Sequence, residues 1–128
     1  MQSHSVATAP LEHLQPLLSL LGIICFCWGM FVNIQSDNIL KSLRKDGETG
    51  YKIPHGGMFR FVSSPNYMGE IVEWVGFAMI VQTSAALWFA LFSLIFLGWR
   101  AVKTHQWYSD KFKSEYPKNR AAFIPCLL

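Results

Sequence analysis

Residues 74–99 read WVGFAMIVQTSAALWFALFSLIFLGW, a run of 26 residues without a charged side chain. As one straight helix this run would be about 39 Å long, well over the ~30 Å hydrocarbon core of a bilayer. The polar triplet Gln82-Thr83-Ser84 divides it near the middle. The run therefore predicts a helical hairpin, with one helix from about residue 65 to 80, a tight turn, and a return helix from about residue 85. A single tilted span is the alternative.

A second apolar run, LQPLLSLLGIICFCWGMFVNI, covers residues 14–34 and has the length of a membrane-crossing helix. All eleven Lys and Arg residues fall in two blocks, 41–60 and 100–120. A hairpin between the blocks keeps both on one side, which the positive-inside rule assigns to the cytosol. We therefore predict an all-α, multi-span transmembrane helical bundle of about three spans. It has a loose N-terminal segment at 1–13, a cytosolic loop and a C-terminal amphipathic helix.

The overall composition agrees with a membrane protein, because 52% of the residues are hydrophobic and only 15% are charged. A net charge of +3 is compatible with a nucleic-acid partner, but charge blocks that alternate with apolar runs favour the lipid bilayer as partner and no nucleic acid. Three cysteines have no Cys or His at metal-ligand spacing, so no metal site is expected.

Local signals mark the ends of the later helices. Ser64 followed by Pro65 is typical of a helix start. Beyond Arg100 the return helix is expected to continue as an amphipathic extension until Pro117 ends it. The short tail after that point, AAFIPCLL, is expected to fold back against the bilayer or the bundle.

Polar side chains recur at helical spacing where the predicted helices meet the cytosol. They form three stripes: Asn33, Asp37, Lys41 and Arg44; Asn66, Glu70 and Glu73; and Arg100, Thr104 and Tyr108. Taken singly, each stripe is explained by snorkelling and by surface pairing such as Asp37 with Lys41. Three stripes on one side favour a shared pocket. Cationic groups beside Asn, Asp and Glu suit a ligand with phosphates and hydroxyls. His55 and His105 are predicted to have surface or packing roles.

Residues 50–74, GYKIPHGGMFRFVSSPNYMGEIVEW, closely resemble the signature of the steroid 5α-reductase family (3-oxo-5α-steroid 4-dehydrogenases). Upstream, FVNIQSDNILKSLRK matches that family's N-I-x-S-D-x-x-L-x-x-L-R-K segment. Downstream, RAVKTHQWYSDKFKSEYPKNRAAFIP is similar to its R-A-x-x-x-H-x-W-Y…F…Y-P-K-x-R-x-x-x-I-P ending. The three segments occur in order. Within the wider group that includes enoyl-CoA and polyprenol reductases, the P-N-Y-x-G-E-I-x-E-W motif is most similar to that of the steroid branch.

The resemblance implies NADPH-dependent reduction of the 4,5 double bond of a 3-oxo-4-ene steroid or a related enone lipid. It implies a seven-helix protein of the endoplasmic reticulum that holds NADPH at its cytosolic end, with residues 14–128 as the cofactor-binding domain. Carried over by motif, the cofactor-binding residues are Asn33, Asp37, Arg44, Asn66, Glu70, Arg100 and Tyr108. No catalytic residue is carried over, because the family places the acidic pair that polarises the ketone in its N-terminal helices.

The chain departs from the family in two respects. The family often has His four residues after the arginine, where this chain has Thr104 with His105 next to it. The family chain is about twice as long, so a complete active site requires further helices, for example from a partner chain that supplies the N-terminal helices.

Two alternatives remain open at this point. One is a non-catalytic, truncated relative that binds the cofactor or another membrane protein. The other is a membrane methyltransferase that uses S-adenosylmethionine. Those enzymes also place a P-x-Y-x-G element before a helical hairpin, but they carry paired glutamates where this chain has His105-Gln106.

Overall fold

The charge-free run folds as the predicted hairpin in the computed structural model, which describes residues 14–43 and 51–125. Helix α1 covers Leu14–Ser42, α2 covers Pro65–Val81 and α3 covers Ser84–Phe112. Short 3₁₀ helices lie at Gly57–Arg60 and Lys113–Glu115. The part of the chain with described structure contains no strand beyond an isolated bridge between Val62 and Ala121. The all-α bundle is thus confirmed, while the segment 1–13 and Arg44 lie outside the described residues.

The polar triplet forms the turn between α2 and α3. Gln82 adopts a left-handed conformation (φ 56°) and its backbone N–H donates to the carbonyl of Ala78 at 2.9 Å. Thr83 then caps α3, because its Oγ1 accepts a hydrogen bond from the backbone N–H of Ala86 at 3.2 Å. These contacts satisfy backbone groups that two adjacent helix ends leave unpaired. The single tilted span is therefore wrong.

Helices α1 and α2 run antiparallel and meet at two pairs of glycines. Gly22 lies against Gly76, and Gly29 lies against Gly69. A Cβ atom on Gly29 would lie 2.5 Å from the carbonyl oxygen of Gly69, and one on Gly76 would lie 2.6 Å from that of Gly22. Small residues at such crossings let two membrane helices approach until their backbones touch. The glycines therefore set the distance between α1 and α2.

The turn between α2 and α3 is also tied to the start of α1. The Gln82 side-chain Nε2 donates to the carbonyl oxygen of Gln15 at 3.2 Å and to Ser19 Oγ at 3.1 Å. The polar residues that interrupt the apolar runs thus pair with one another at this end of the bundle, which is called the turn end below. Such pairing reduces the cost of polar groups within apolar surroundings.

The opposite, basic end of the bundle carries Lys41, Lys52 and Lys103 and is closed by the C-terminal tail. The backbone N–H groups of Ser63 and Ser64 donate to the carbonyls of Ala121 (2.8 Å) and Ala122 (3.1 Å). The Phe123 ring lies against Gly98 of α3. The described part of the tail therefore packs on the bundle.

Two details of the helix ends differ from expectation. The α-helix ends at Phe112, not at Pro117, because Lys113 takes a positive φ of 51° and a 3₁₀ turn follows. Pro65 occupies the first turn of α2 as predicted, but the Ser64 side chain does not cap that helix. Its hydroxyl is buried with no hydrogen-bond partner among the described residues.

The buried core lies where the three helices and the tail meet. It consists of Val32, Val62, Met68, Ile71, Leu97, Ala101, Ala122 and Phe123. Outside this core, α1 and α3 expose large apolar side chains along most of their length. Both helices are long and apolar enough to cross a membrane, whereas α2, with 17 residues, spans about 26 Å. This distribution of apolar surface is typical of a protein surrounded by lipid.

Candidate functional site

A cleft of about 640 Å³ opens at the basic end of the bundle, between the last turns of α1, the C-terminal part of α3 and residues 51–52. Its volume lies within the range of about 300–1,000 Å³ that small-molecule sites occupy. The cleft is lined by Asp37, Leu40, Lys41, Leu43, Tyr51, Lys52, Lys103, Thr104, Trp107 and Tyr108.

The lining combines positive charge with aromatic surface. Three lysines and one aspartate face the cleft, so its formal charge is positive. Tyr51 and Trp107 meet edge to face with ring centroids 5.1 Å apart. The ammonium group of Lys111 lies 5.7 and 5.8 Å from these two rings. Cations attract aromatic faces, and this combination of positive charge and aromatic surface suits a flat, anionic ligand.

Two of the seven residues predicted to bind the cofactor, Asp37 and Tyr108, line this cleft together with their stripe neighbours Lys41 and Thr104. Tyr108 is 9% exposed and stacks on Tyr116, with ring centroids 5.2 Å apart and an interplanar angle of 6°. The α1 and α3 stripes thus meet in one site.

Four predicted residues lie away from the lining of the cleft. Asn33 Nδ2 donates to Glu73 Oε1 at 3.2 Å and so joins α1 to α2. Asn66 and Glu70 are half-buried on α2. The exposed Arg100 guanidinium lies 5.3 Å from the Tyr67 ring. The α2 stripe therefore contacts the α1 stripe through Asn33, and its cofactor role stays a prediction. Arg44 falls outside the described residues.

Six residues of the cleft were missed from the sequence: Leu40, Leu43, Tyr51, Lys52, Lys103 and Trp107. Lys103 and Trp107 are four residues apart and each directly precedes a member of the stripe of Arg100, Thr104 and Tyr108. Helical spacing could therefore have predicted that they belong to the site. Tyr51 and Lys52 lie in an irregular segment, where no periodicity shows which way a side chain points.

A polar network with a buried centre at Ser63, Tyr116 and Arg120 lies behind the cleft, beyond the apolar part of α3 that ends at Trp99. Ser63 Oγ is 2.6 Å from both His105 Nδ1 and the Tyr116 hydroxyl. Arg120 Nη1 donates to the same hydroxyl at 3.5 Å, and its Nη2 donates to His55 Nδ1 at 3.3 Å. Burial lowers the pKa of His105, which favours the neutral imidazole. In this structure both histidines therefore link distant parts of the chain, His105 with Ser63 and His55 with Arg120.

Comparison with known proteins gives the family. The model of the family described as 3-oxo-5-alpha-steroid 4-dehydrogenase matches residues 4–128. The chain is 54% identical over 109 residues to 3-oxo-5-alpha-steroid 4-dehydrogenase 1 of Mus musculus, which covers 85% of this chain and 42% of the mouse protein.

Two further relatives agree with this match. Identity to 3-oxo-5-alpha-steroid 4-dehydrogenase 2 of Homo sapiens is 51%, over 82% of this chain and 41% of the human protein. Identity to steroid 5-alpha-reductase DET2 of Gossypium hirsutum is 47%, over 83% and 41% of the two chains. The chain spans about two fifths of the length of these curated relatives. On its sequence, its three-helix bundle and these matches, the chain belongs to the 3-oxo-5-alpha-steroid 4-dehydrogenase family.

Proposed function

We propose that this chain supplies the NADPH-binding part of a membrane reductase. Its reaction would be reduction of the 4,5 double bond of a 3-oxo-4-ene steroid or a related enone lipid. The family assignment supports the reaction class, because the relatives are named as steroid dehydrogenases and reductases. The same assignment favours a reductase over the S-adenosylmethionine-dependent alternative.

The observation that carries the proposal is the composition of the cleft at the basic end. Lys41, Lys52 and Lys103 offer ammonium donors to phosphate groups, and Asp37 offers an acceptor to ribose hydroxyls. Trp107 and Tyr51 offer aromatic surface to an adenine ring. A dinucleotide with an extra phosphate matches this set of groups better than an uncharged ligand does.

The residues of the chain would bind and orient the cofactor and exclude water from its reactive ring. NADPH, when bound, supplies the hydride for the reduction. Four of the seven predicted residues have structural support for this role. Asp37 and Tyr108 lie in the cleft, and Asn33 and Arg100 lie on the same two helices, one and two turns away. The role of Asn66, Glu70 and Arg44 rests on the family resemblance. The steroid pocket would be completed by further N-terminal helices, for example from a partner chain.

We place this protein in the membrane of the endoplasmic reticulum, with its basic end in the cytosol. Two candidate membrane helices and the family assignment support a membrane location. The positive-inside rule supports the orientation, since Lys41, Lys52 and Lys103 share one end of the bundle.

The decisive experiment measures NADPH and NADH binding to the purified full chain in lipid nanodiscs. Replacement of Lys41 or Lys103 by Gln should weaken NADPH binding about fivefold each, because an exposed charge contact contributes up to about 1 kcal/mol. Arg44→Ala and Arg100→Ala should also weaken it. Lys118→Gln is the matched control, because Lys118 is exposed in the tail and does not line the cleft.

The outcomes separate the candidate functions. Saturable binding that prefers NADPH and responds to the cleft lysines, but not to Lys118, supports the proposal. Equal losses for all lysines would indicate only non-specific attraction and would refute the site. Steroid-dependent consumption of NADPH when the N-terminal helices are supplied would support the reductase. Binding without consumption under those conditions would support the non-catalytic relative.

A further inference from the structure

The polar network behind the cleft has one arrangement of hydrogen bonds in which both hydroxyl protons find an acceptor. Arginine can only donate, so the Tyr116 oxygen accepts from Arg120 and the Tyr116 O–H is left to donate to Ser63. The Ser63 O–H then donates to Nδ1 of a neutral His105. Each hydroxyl donor in this chain has an acceptor, and bonds in such a chain strengthen one another. The buried Nε of Arg120 has no hydrogen-bond partner among the described residues.

Burial makes this arrangement rigid. Ser63 is 2% exposed, Tyr116 4% and Arg120 6%. The network joins three separate parts of the chain: the segment before α2, the C-terminal part of α3 and the tail. Main-chain hydrogen bonds between residues 61–64 and 121–122 run alongside it. The Tyr116 ring is therefore held from several sides.

Tyr116 in turn fixes a residue of the cleft. Its ring stacks in parallel on Tyr108 at 5.2 Å, and Tyr108 lines the cleft. We propose that Tyr116 is a positioning residue, which the Arg120–Tyr116–Ser63–His105 network holds in place so that it keeps the Tyr108 ring in the orientation that binds NADPH. This inference rests on the proposed function.

The test is a double-mutant cycle on NADPH affinity in the full chain. Tyr116→Leu removes the stacked ring, and its Kd for NADPH should rise roughly threefold to tenfold, the range expected for an aromatic pair. Tyr116→Phe keeps the ring and should have a smaller effect. With Tyr108→Leu already present, Tyr116→Leu should change the Kd less than twofold, because Tyr116 acts through Tyr108.

Controls distinguish positioning from general damage. Phe89→Leu removes an aromatic ring that also packs on a neighbour, Trp74, near the turn end, and it should leave the Kd unchanged. If Tyr116→Leu does not fold, Ser63→Ala takes its place in the same cycle and should show the same dependence on Tyr108.

Each outcome decides the matter. An effect of Tyr116 that disappears with Tyr108→Leu supports the proposal. A loss of affinity that persists in full with Tyr108→Leu, or a folded Tyr116→Leu protein with normal affinity, overturns it and leaves the proposed function intact. Absence of saturable NADPH binding by the unchanged chain overturns both.

Discussion

Replacement of Gly29 by Ala should push α1 and α2 apart. A Cβ on Gly29 would lie 2.5 Å from the Gly69 carbonyl oxygen and 2.7 Å from the Glu73 backbone nitrogen, whereas ordinary contact begins at 3.4 Å. Both atoms belong to the backbone of α2, so no side-chain rotation relieves the overlap, and the helices must separate by close to 1 Å. Overpacking of this kind costs about 3 kcal/mol at the upper end of its usual range, and the higher helix propensity of Ala returns about 1 kcal/mol. We expect a net loss of about 2 kcal/mol.

The assay is reversible unfolding in mixed micelles, followed by circular dichroism. Gly98→Ala is the matched control on α3, because a Cβ there would lie 3.0 Å from the tip of the Phe123 ring, a side chain that can shift. Its stability should stay within about 0.5 kcal/mol of the unchanged chain, since a small overlap and the gain in propensity nearly cancel. Equal stability of Gly29→Ala and Gly98→Ala would refute the view that backbone contact sets the spacing of α1 and α2.

Three further predictions concern other parts of the molecule. Because burial lowers the pKa of His105, the unfolded chain takes up this proton first as the pH falls. The thermal midpoint should hold above about pH 6.5 and drop as the pH decreases through the lowered pKa, less steeply in His105→Gln. Gln82→Ala loses its contacts with Gln15 and Ser19 and should destabilise the bundle by about 1 kcal/mol in the micelle assay. The Kd for NADPH should rise when salt is increased, as titrations in nanodiscs will show, because the cleft lysines are exposed.

The fold was largely predictable because the thickness of the bilayer limits helix length and because polar residues are disfavoured within it. A charge-free run too long for one crossing, with polar residues at its middle, requires a turn, and the observed helix ends at Val81 and Ser84 lie within one residue of expectation. The glycine pairs were missed, although Gly22 and Gly29 are seven residues apart, as are Gly69 and Gly76. The seven-residue separation does not show which helix each glycine faces, because that depends on how the helices pack.

The site was predictable only where helices build it. Helical periodicity led to Asp37 and Tyr108, because residues four apart share a face. Tyr51 and Lys52 enter the cleft from an irregular segment. Ser63, Tyr116 and Arg120 come together only because the tail reverses after α3. The end of α3 at Phe112 was also missed. The helix ends because Lys113 has a positive φ, and lysine seldom adopts that conformation, so the sequence does not indicate it.

The attachment of the tail also restricts rotation of α3. Helix α3 is joined to α2 through a two-residue turn at one end, and Trp107 lies 23 residues, or about 35 Å, from that pivot at Ser84. A rotation of α3 by only about 5° around the pivot would move Trp107 by roughly 3 Å, enough to open or close the cleft against α1. The tail that follows α3 is hydrogen-bonded through residues 121–122 to residues 61–64, which ties the far end of α3 to the start of α2. We therefore expect the described part of the tail, which contributes no residue to the lining, to influence the width of the cleft.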